Sequence, residues 1–315
     1  MANGMDERWD NRVAAIAHFQ NGDARLGSGA YIGRGFVGND GVVYDRVLSS
    51  NHLTYPDGVD NEEAVSVEVV FGDNVLIAPT LTLETTIWEP HPLASGSFDG
   101  DGFDRENPDI VILGFPAGSI DRVPLSISTR RLQEGDLVET AGHGTVIDQD
   151  GVDYGYMGDL LAGGDTIEGF GSSFLFGYPD EKAYTWFIPP PYFNPDPEPY
   201  GGSPGMSGSV WETFNPGTQQ HEATLLAGSV LGNFEAFART YGDDLTNPIN
   251  VDWILAGLVE NPLGDVNLDG NVDLLDVAPF VDRISSGSLQ VEADVNEDGV
   301  VDLLDVAPFV ELLAG

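Results

Sequence analysis

Residues 265–315 contain an internal repeat, and this repeat constrains the fold more than any other feature of the chain. The segment Asp265–Asp276 returns 29 residues later as Asp294–Asp305, and both copies continue into Val-Ala-Pro-Phe-Val. Self-similarity at a fixed period indicates two copies of one supersecondary unit. We therefore expect the C-terminal part of the chain to form a module of its own.

Each copy of the repeat carries side-chain oxygens at positions 1, 3, 5, 9 and 12 and glycine at position 6. This is the spacing of calcium loops, in which position 7 contributes a backbone carbonyl and glycine allows a sharp turn. Aspartate at position 12 departs from the glutamate of EF-hand loops. The predicted ligands of two calcium sites are Asp265, Asn267, Asp269, Asn271, Asp273 and Asp276 in the first loop, and Asp294, Asn296, Asp298, Val300, Asp302 and Asp305 in the second.

The charge of this segment supports the same prediction. Residues 265–315 carry twelve acidic residues and a single basic one, Arg283. Such clustered charge opposes compaction, so calcium binding should be coupled to the folding of the module. The alternative is an acidic, turn-rich tail without a metal. The tandem closely resembles a type I dockerin, and the resemblance implies a small all-α module of two calcium loop–helix repeats that binds a cohesin-like domain.

The whole chain is strongly acidic and has no cysteine. Its 315 residues carry 52 acidic and 12 basic side chains, and the formal net charge is −40. A field of this sign repels nucleic acids and anionic membranes, so neither is expected as a partner. Without cysteine the core must hold without disulfides. No run of about 18 apolar residues predicts a membrane span.

The sequence that precedes the repeat predicts β-structure. Short segments rich in β-branched residues alternate with Gly, Asp and Asn turns, which is typical of β-barrels and sandwiches. Asn21-Gly22 and Asn39-Asp40-Gly41 are hairpin signals. The predicted strands are Val13–Phe19, Gly29–Val37, Val65–Phe71, Val75–Leu83, Ile110–Phe115 and Leu137–Ala141.

Ser207 lies in the glycine-rich segment Gly-Gly-Ser-Pro-Gly-Met-Ser-Gly-Ser-Val at 201–210. A serine hydroxyl becomes a useful nucleophile when a base takes its proton and backbone N–H groups receive the oxyanion. Gly205 permits the tight turn that aims such N–H groups. A flexible Gly/Ser loop is the alternative interpretation, and two upstream segments argue against it.

Those segments carry His52 and Asp109. Of the five histidines, only His52 ends an apolar strand and begins a turn, where its side chain can reach a cleft. Asp109 precedes the apolar run Ile-Val-Ile-Leu, so its carboxylate is expected to be partly buried. A buried carboxylate needs a partner, and an imidazole N–H is one. The alternatives are a structural histidine and a turn aspartate.

The order His52, Asp109, Ser207 is the order found in chymotrypsin-like serine proteases. Val-Leu-Ser-Ser-Asn-His at 47–52 resembles the family's VLTAAHC, Asp-Ile-Val-Ile-Leu at 109–113 resembles DIALLKL, and the segment around Ser207 resembles GDSGGP in its bacterial forms. The resemblance covers about residues 10–258 and implies two six-stranded antiparallel β-barrels. It also implies His52 as general base, Asp109 as its orienting partner, Ser207 as nucleophile, and the N–H groups of Gly205 and Ser207 as the oxyanion hole.

Together these features predict a protease domain at residues 1–260 and a dockerin-like module at 261–315. The expected protein is a monomeric bacterial serine endopeptidase, secreted or held at the cell surface, although residues 1–8 show no signal-peptide pattern. Two alternatives remain: a catalytically silent protease-like binding protein, or an esterase that uses the same triad. No carboxylate lies between residues 201 and 211, so apolar or small side chains are expected before the scissile bond.

Overall fold

The computed structural model describes residues 9–54, 63–72, 75, 79–94, 108–143, 146–147, 153–154, 160–170, 182–187, 207–231, 238–259, 262–267, 271–286, 291–296 and 300–314. Within these residues no helix is long and apolar enough to span a membrane. The structure is mainly β, with short helices after the second sheet, as the sequence predicted. The proposed boundary between residues 260 and 261 falls outside the described residues.

The first sheet is antiparallel and has the strand order β5-β4-β1-β2-β3-β7-β6. Its strands are β1 Arg12–His18, β2 Ala24–Phe36, β3 Val43–Ser50, β4 Ser66–Phe71, β5 Leu81–Thr85, β6 Ile87–Pro90 and β7 Ile110–Pro116. The two edge strands are consecutive in the chain, because only Thr86 separates β5 from β6. This bent segment pairs with β4 at one end and β7 at the other, so it closes the sheet on itself. If β5 and β6 are counted as one strand, the first sheet has the six strands that the sequence predicted.

The second sheet is a closed six-stranded barrel with the order β11-β12-β15-β14-β13-β8. Its strands are β8 Leu137–His143, β11 Leu160–Phe170, β12 Lys182–Phe187, β13 Val210–Asn215, β14 Gln220–Leu231 and β15 Ala238–Asp244. A separate pair, β9 Val146–Ile147 and β10 Asp153–Tyr154, lies between β8 and β11 in the chain.

The position of β7 between two cores explains why its sequence is a continuous apolar run. Val111 and Leu113 belong to the core inside the first sheet. Ile110 and Ile112 alternate with them and pack in a second core together with Val210 of the second sheet. Since successive strand residues point to opposite faces, both faces of β7 are buried, one inside its own sheet and one between the sheets.

A buried ion pair joins the two sheets. Arg12 on β1 pairs with Glu212 on β13, and the side chains of both residues are almost completely buried. Removal of one partner from a buried pair leaves an uncompensated charge and typically costs about 3–5 kcal/mol. The pair therefore fixes the first strand of one sheet against the strand that follows Ser207 in the other.

The chain leaves the second sheet through helix α1, Pro248–Ala256, and returns to the first sheet. The N–H of Phe36 donates to the carbonyl of Gly257 at 2.8 Å, and the N–H of Val259 donates to the carbonyl of Arg34 at 3.0 Å. The segment after α1 thus runs along the end of β2 before the C-terminal module begins.

The C-terminal module contains helices α2, Val277–Ser286, and α3, Val306–Ala314. Phe280 and Phe309 stack with ring centroids 3.9 Å apart, and they occupy equivalent positions in the two repeats. A second pair of core residues follows the same period, since Val266 matches Val295. The repeat therefore builds one small shared core. Arg283 forms an ion pair with Asp121, which follows β7.

His91 packs the end of β6 against α1. Its ring meets Trp253 edge-on at 4.8 Å, and its Nδ1 accepts a hydrogen bond from the N–H of Leu93 at 3.2 Å. Its Nε2 lies 3.5 Å from the carbonyl oxygen of Ile249. This arrangement requires an unprotonated Nδ1 and a proton on Nε2. Burial lowers the pKa of His91 below its ordinary value of 6.5, although the contact with Ile249 opposes the shift.

We predict that His91 makes the protein less stable below pH 6.5. There the unfolded chain binds a proton that native His91 resists, so the free energy of unfolding falls with pH until the lowered native pKa is reached. The slope is at most about 1.4 kcal/mol per pH unit. Urea unfolding at pH 7.5 and pH 5.5 should show a smaller loss for His91→Gln than for the wild type. Equal losses in the two proteins would contradict this role.

Candidate active site and calcium loops

The pairing of β3 with β7 brings His52 beside Asp109. Ser50, the last residue of β3, pairs with Ile110, the first residue of β7, in an antiparallel register. The chain then turns through a short 3₁₀ segment at Asn51–Leu53. Residues that follow one strand and precede its antiparallel partner must lie side by side. The sheet register alone therefore places His52 next to Asp109.

Hydrogen bonds then fix the geometry of this pair. Asp109 Oδ2 lies 2.6 Å from His52 Nδ1, and Asp109 Oδ1 accepts the backbone N–H of His52 at 2.8 Å. The N–H of Asn51 donates to the carbonyl of Asp109 at 3.2 Å. Because an ionised carboxylate only accepts, the proton of the imidazole lies on Nδ1. Nε2 is then the basic nitrogen, on the opposite side of the ring.

Both side chains of the pair are largely removed from solvent. The His52 side chain is 14% exposed and the Asp109 side chain 5%. The imidazole thus keeps limited access to solvent while its carboxylate partner is almost completely buried. A hydrogen bond between such groups is electrostatically stronger than it is in water.

The turn that carries Ser207 lies against the same end of the first sheet. The carbonyl of Ser207 accepts the N–H of Ser28 at 2.6 Å. Ser28 is fully buried on β2, and its carbonyl accepts the hydroxyl of Ser49 at 2.7 Å. Its own hydroxyl accepts the N–H of His143, on the second sheet, at 2.9 Å. Ser28 therefore ties together the Ser207 turn, the strand that leads to His52, and the second sheet.

Two glycines permit this close approach. Gly208 has a φ of +84°, and a Cβ there would lie 2.2 Å from the carbonyl oxygen of Ser28. A Cβ on Gly27 would lie 2.4 Å from Leu53 and 2.8 Å from the carbonyl oxygen of Ser207. No side chain fits at either position without movement of the backbone. The two glycines thus let the Ser207 turn and the turn that holds His52 pack on one site.

The structure places the predicted residues as follows. His52 and Asp109 are in direct contact, and Ser207 lies on a turn packed against the segment before His52. Gly205, predicted to contribute to the oxyanion hole, lies outside the described residues, as do 201–206. Of the other histidines, His143 is buried on β8 and His221 contacts Glu139 on the second sheet at 3.6 Å.

Sequence reasoning missed two residues that support the site, Ser28 and Asp243. Asp243 is the next-to-last residue of β15, and its Oδ2 accepts the N–H of Asp109 at 3.1 Å. No local signal identified the two residues, because Ser28 and Asp243 make these contacts with the opposite sheet.

The described parts of the two predicted calcium loops fold alike. In the first, Asp276 is fully buried and accepts the N–H of Asn267 at 2.8 Å and the N–H of Asp273 at 2.7 Å. In the second, Asp305 accepts the N–H groups of Asn296 at 3.0 Å and Asp302 at 2.9 Å. Position 12 of each loop thus organises positions 3 and 9 around one carboxylate.

The donor set suits a hard cation. Asp265, Asp276 and Asp305 are fully buried, and the one basic residue of the module, Arg283, pairs with Asp121. Buried carboxylates are stable when they are paired or coordinate a metal. Position 5 of each loop, Asp269 and Asp298, lies outside the described residues. Among the residues that are described, no group of three or more His, Cys, Asp or Glu side chains is arranged to hold a metal ion.

Comparison with known families supports this description of the module. Residues 263–310 match the family described as "Dockerin type I domain". Dockerins of this type bind calcium, so calcium binding by the module follows in general terms. The resemblance predicted from the repeat is confirmed.

Comparison with solved structures supports the predicted fold of the larger part. The chain is similar to the crystal structure of AL20, a thermostable serine protease from an extremophilic microorganism. The TM-score is 0.51 at 10% sequence identity, over 80% of this chain and 99% of that one. No curated protein matches the sequence. The chain therefore combines a chymotrypsin-like fold with a C-terminal type I dockerin module.

We predict that Gly208→Ala disrupts the site more than backbone strain alone explains. The left-handed conformation costs about 1–2 kcal/mol for an alanine, and here the added methyl also meets the carbonyl of Ser28. The matched control is Gly118→Ala, which has a similar φ of +81° but open space around it. Reaction with a fluorophosphonate should slow at least about tenfold in Gly208→Ala and stay unchanged in Gly118→Ala. Equal rates in both variants would contradict the packing argument.

Proposed function

We propose that this chain is a serine endopeptidase whose nucleophile is Ser207. The observation that carries the proposal is the pair of hydrogen bonds from His52 to Asp109, together with the packing of the Ser207 turn against the same strand ends. A histidine held by a buried carboxylate at Nδ1 is prepared to accept a proton at Nε2. The chymotrypsin-like fold supports the assignment because the three residues occur in that family's order.

In the proposed reaction, His52 Nε2 takes the proton of the Ser207 hydroxyl as its oxygen attacks the peptide carbonyl. Asp109 keeps the imidazole in the required tautomer and stabilises the imidazolium that forms. The oxyanion is received by the N–H groups of Ser207 and Gly205. His52 then gives its proton to the leaving amine. Water repeats the sequence to release the acyl group from Ser207.

The site contains no acidic residue directly before the nucleophile. Met206 takes the place at which digestive members of the family carry an aspartate that pairs with a new N-terminus. We infer that the enzyme needs no ionic activation of that kind.

We further propose that the module binds two calcium ions and attaches the enzyme to a cohesin-like domain on a scaffold or cell surface. Each repeat exposes an equivalent apolar surface. Leu274 and Leu275 are 79% and 67% exposed, and Leu303 and Leu304 are 76% and 65% exposed. Exposed apolar residues in such pairs mark an interaction surface. Because the two surfaces are alike, a partner can dock on the module in either orientation.

We predict that Ser207→Ala lowers kcat/KM for an activated peptide substrate by about 10³-fold or more, since the attacking oxygen is lost. The control is Ser209→Ala, which removes a fully buried hydroxyl two residues away and should leave turnover unchanged. The melting temperature of each variant shows whether the fold is retained.

A comparison of the wild type with Ser207→Ala distinguishes an endopeptidase from a silent binding protein and from an esterase. Wild-type protein should react covalently with a fluorophosphonate, and Ser207→Ala should not. Near-normal turnover by folded Ser207→Ala would refute the nucleophile assignment, and an unreactive wild type would favour a silent binding protein. Hydrolysis of esters without hydrolysis of peptides would favour an esterase.

For the module, we predict uptake of two calcium ions per chain, measured by isothermal titration of the full-length protein. Asp276→Asn with Asp305→Asn should abolish tight uptake, because both carboxylates organise the loops and supply charged ligands. Asp282→Asn, an exposed acid of α2 outside the loops, is the matched control. Chelation should expose residues 265–315 to added protease while the catalytic domain survives.

Uptake of a single ion, or of none, would refute the two-site assignment. Binding of a cohesin domain should require calcium. Calcium uptake without binding to any cohesin tested would remove the proposed partner and leave the fold of the module intact.

A further inference from the structure

Asp243 links the second sheet directly to the candidate catalytic pair. It lies on β15, where it pairs with Leu226 of β14 and Lys182 of β12. The residue is only 2% exposed. Its Oδ2 accepts the backbone N–H of Asp109 at 3.1 Å, although Asp109 belongs to the first sheet. This hydrogen bond therefore crosses between the two sheets at the acid of the pair.

We propose that Asp243 is a positioning residue that fixes the backbone of Asp109 and, through it, the orientation of His52. The proposal rests on the proposed function, because positioning matters only if His52 acts as a base. Asp243 takes no part in the bond-forming steps.

The N–H of Asp109 needs an acceptor. Asp109 is 4% exposed and precedes the first residue of β7, and a buried N–H without an acceptor is destabilising. The side-chain oxygen of Asp243 supplies that acceptor. Asp243 thus holds the Asp109 backbone by satisfying an N–H that is otherwise removed from water.

The geometry shows what this hydrogen bond controls. The other contacts of Asp109 described above come from Asn51 and His52, which follow β3 of the first sheet just as Asp109 precedes β7 of that sheet. Those contacts fix the pair internally but leave its position relative to Ser207 undetermined. Asp243 belongs to the sheet that carries β13, the strand that begins three residues after Ser207. The bond therefore relates the His52–Asp109 pair to the sheet of the nucleophile.

The neighbouring residue Asp244 provides a matched control. It is also fully buried, but its Oδ1 accepts from Thr246 and its Oδ2 pairs with Arg131 at 3.2 Å. Successive strand side chains point to opposite faces, so Asp244 lies on the face away from Asp109. Loss of either carboxylate removes one buried acid from β15, and only loss of Asp243 removes the contact with Asp109.

The experiment compares Asp243→Ala, Asp243→Asn and Asp244→Ala in the full-length protein. We expect kcat of Asp243→Ala to fall about 10²-fold, the size of effect that a displacement of about 1 Å produces. KM should change little, since substrate contacts remain. Asp243→Asn keeps an acceptor oxygen and should recover most of kcat. Asp244→Ala should lower the melting temperature and leave kcat near the wild-type value.

A spectroscopic readout tests positioning without turnover. His52 Nδ1 lies 2.6 Å from Asp109 Oδ2, so the proton between them should give a downfield resonance in the wild type, Asp243→Asn and Asp244→Ala. It should be broadened or lost in Asp243→Ala. Because this signal does not depend on Ser207, it decides the positioning role even if the protein proves catalytically silent.

Normal kcat and an intact resonance in Asp243→Ala would overturn the proposal. So would equal losses in Asp244→Ala, or an Asp243→Asn variant as impaired as Asp243→Ala. If Asp243→Ala does not fold, hydrogen exchange at the Asp109 amide decides the question in the wild type. Protection comparable to that of the β7 amides supports the role, and exchange at the rate of an open loop refutes it.

Discussion

The antiparallel pairing of β3 with β7 is the constraint on which the rest of the site depends. Because Ser50 pairs with Ile110, the chain that leaves β3 and the chain that enters β7 meet at one edge of the first sheet. The backbone pairing therefore brings His52 and Asp109 close enough for their side chains to form a hydrogen bond. A shift of register by one residue would move both side chains to the wrong faces.

The second half of the site is added by contacts between the sheets. Ser28 binds the Ser207 turn, Ser49 and His143 through its three polar groups, and Gly208 allows the turn to lie directly against β2. The ion pair Arg12–Glu212 and the contact from Asp243 to Asp109 cross the same boundary. The candidate site is therefore a property of two barrels held together by buried polar contacts, which suits a protein without disulfides.

The sequence was sufficient to predict those features whose residue types and spacing are themselves typical of a structure. Three features predicted the fold class and the nature of both parts of the chain: the order of His52, Asp109 and Ser207, the 29-residue repeat, and the hairpin glycines. Each of them can be recognised in the sequence without knowledge of contacts between distant residues. It was insufficient where structure depends on distant partners. The strand predicted at Val75–Leu83 begins at Leu81 instead, and β5 and β6 are halves of one bent segment whose partners lie at opposite edges of the sheet. The supporting roles of Ser28 and Asp243 had no local signal either, because each follows from contacts with the opposite sheet.

If one site assembled from both sheets activates Ser207, a peptidyl phosphonate should react there and remain bound within the site. We would determine the crystal structure of the full-length protein after this reaction. We expect phosphorus bonded to Ser207 Oγ, His52 Nε2 within hydrogen-bonding distance of the adduct, and an unchanged contact between His52 and Asp109. An adduct on another residue, or a Ser207 adduct whose oxygens make no contact with His52, would contradict it.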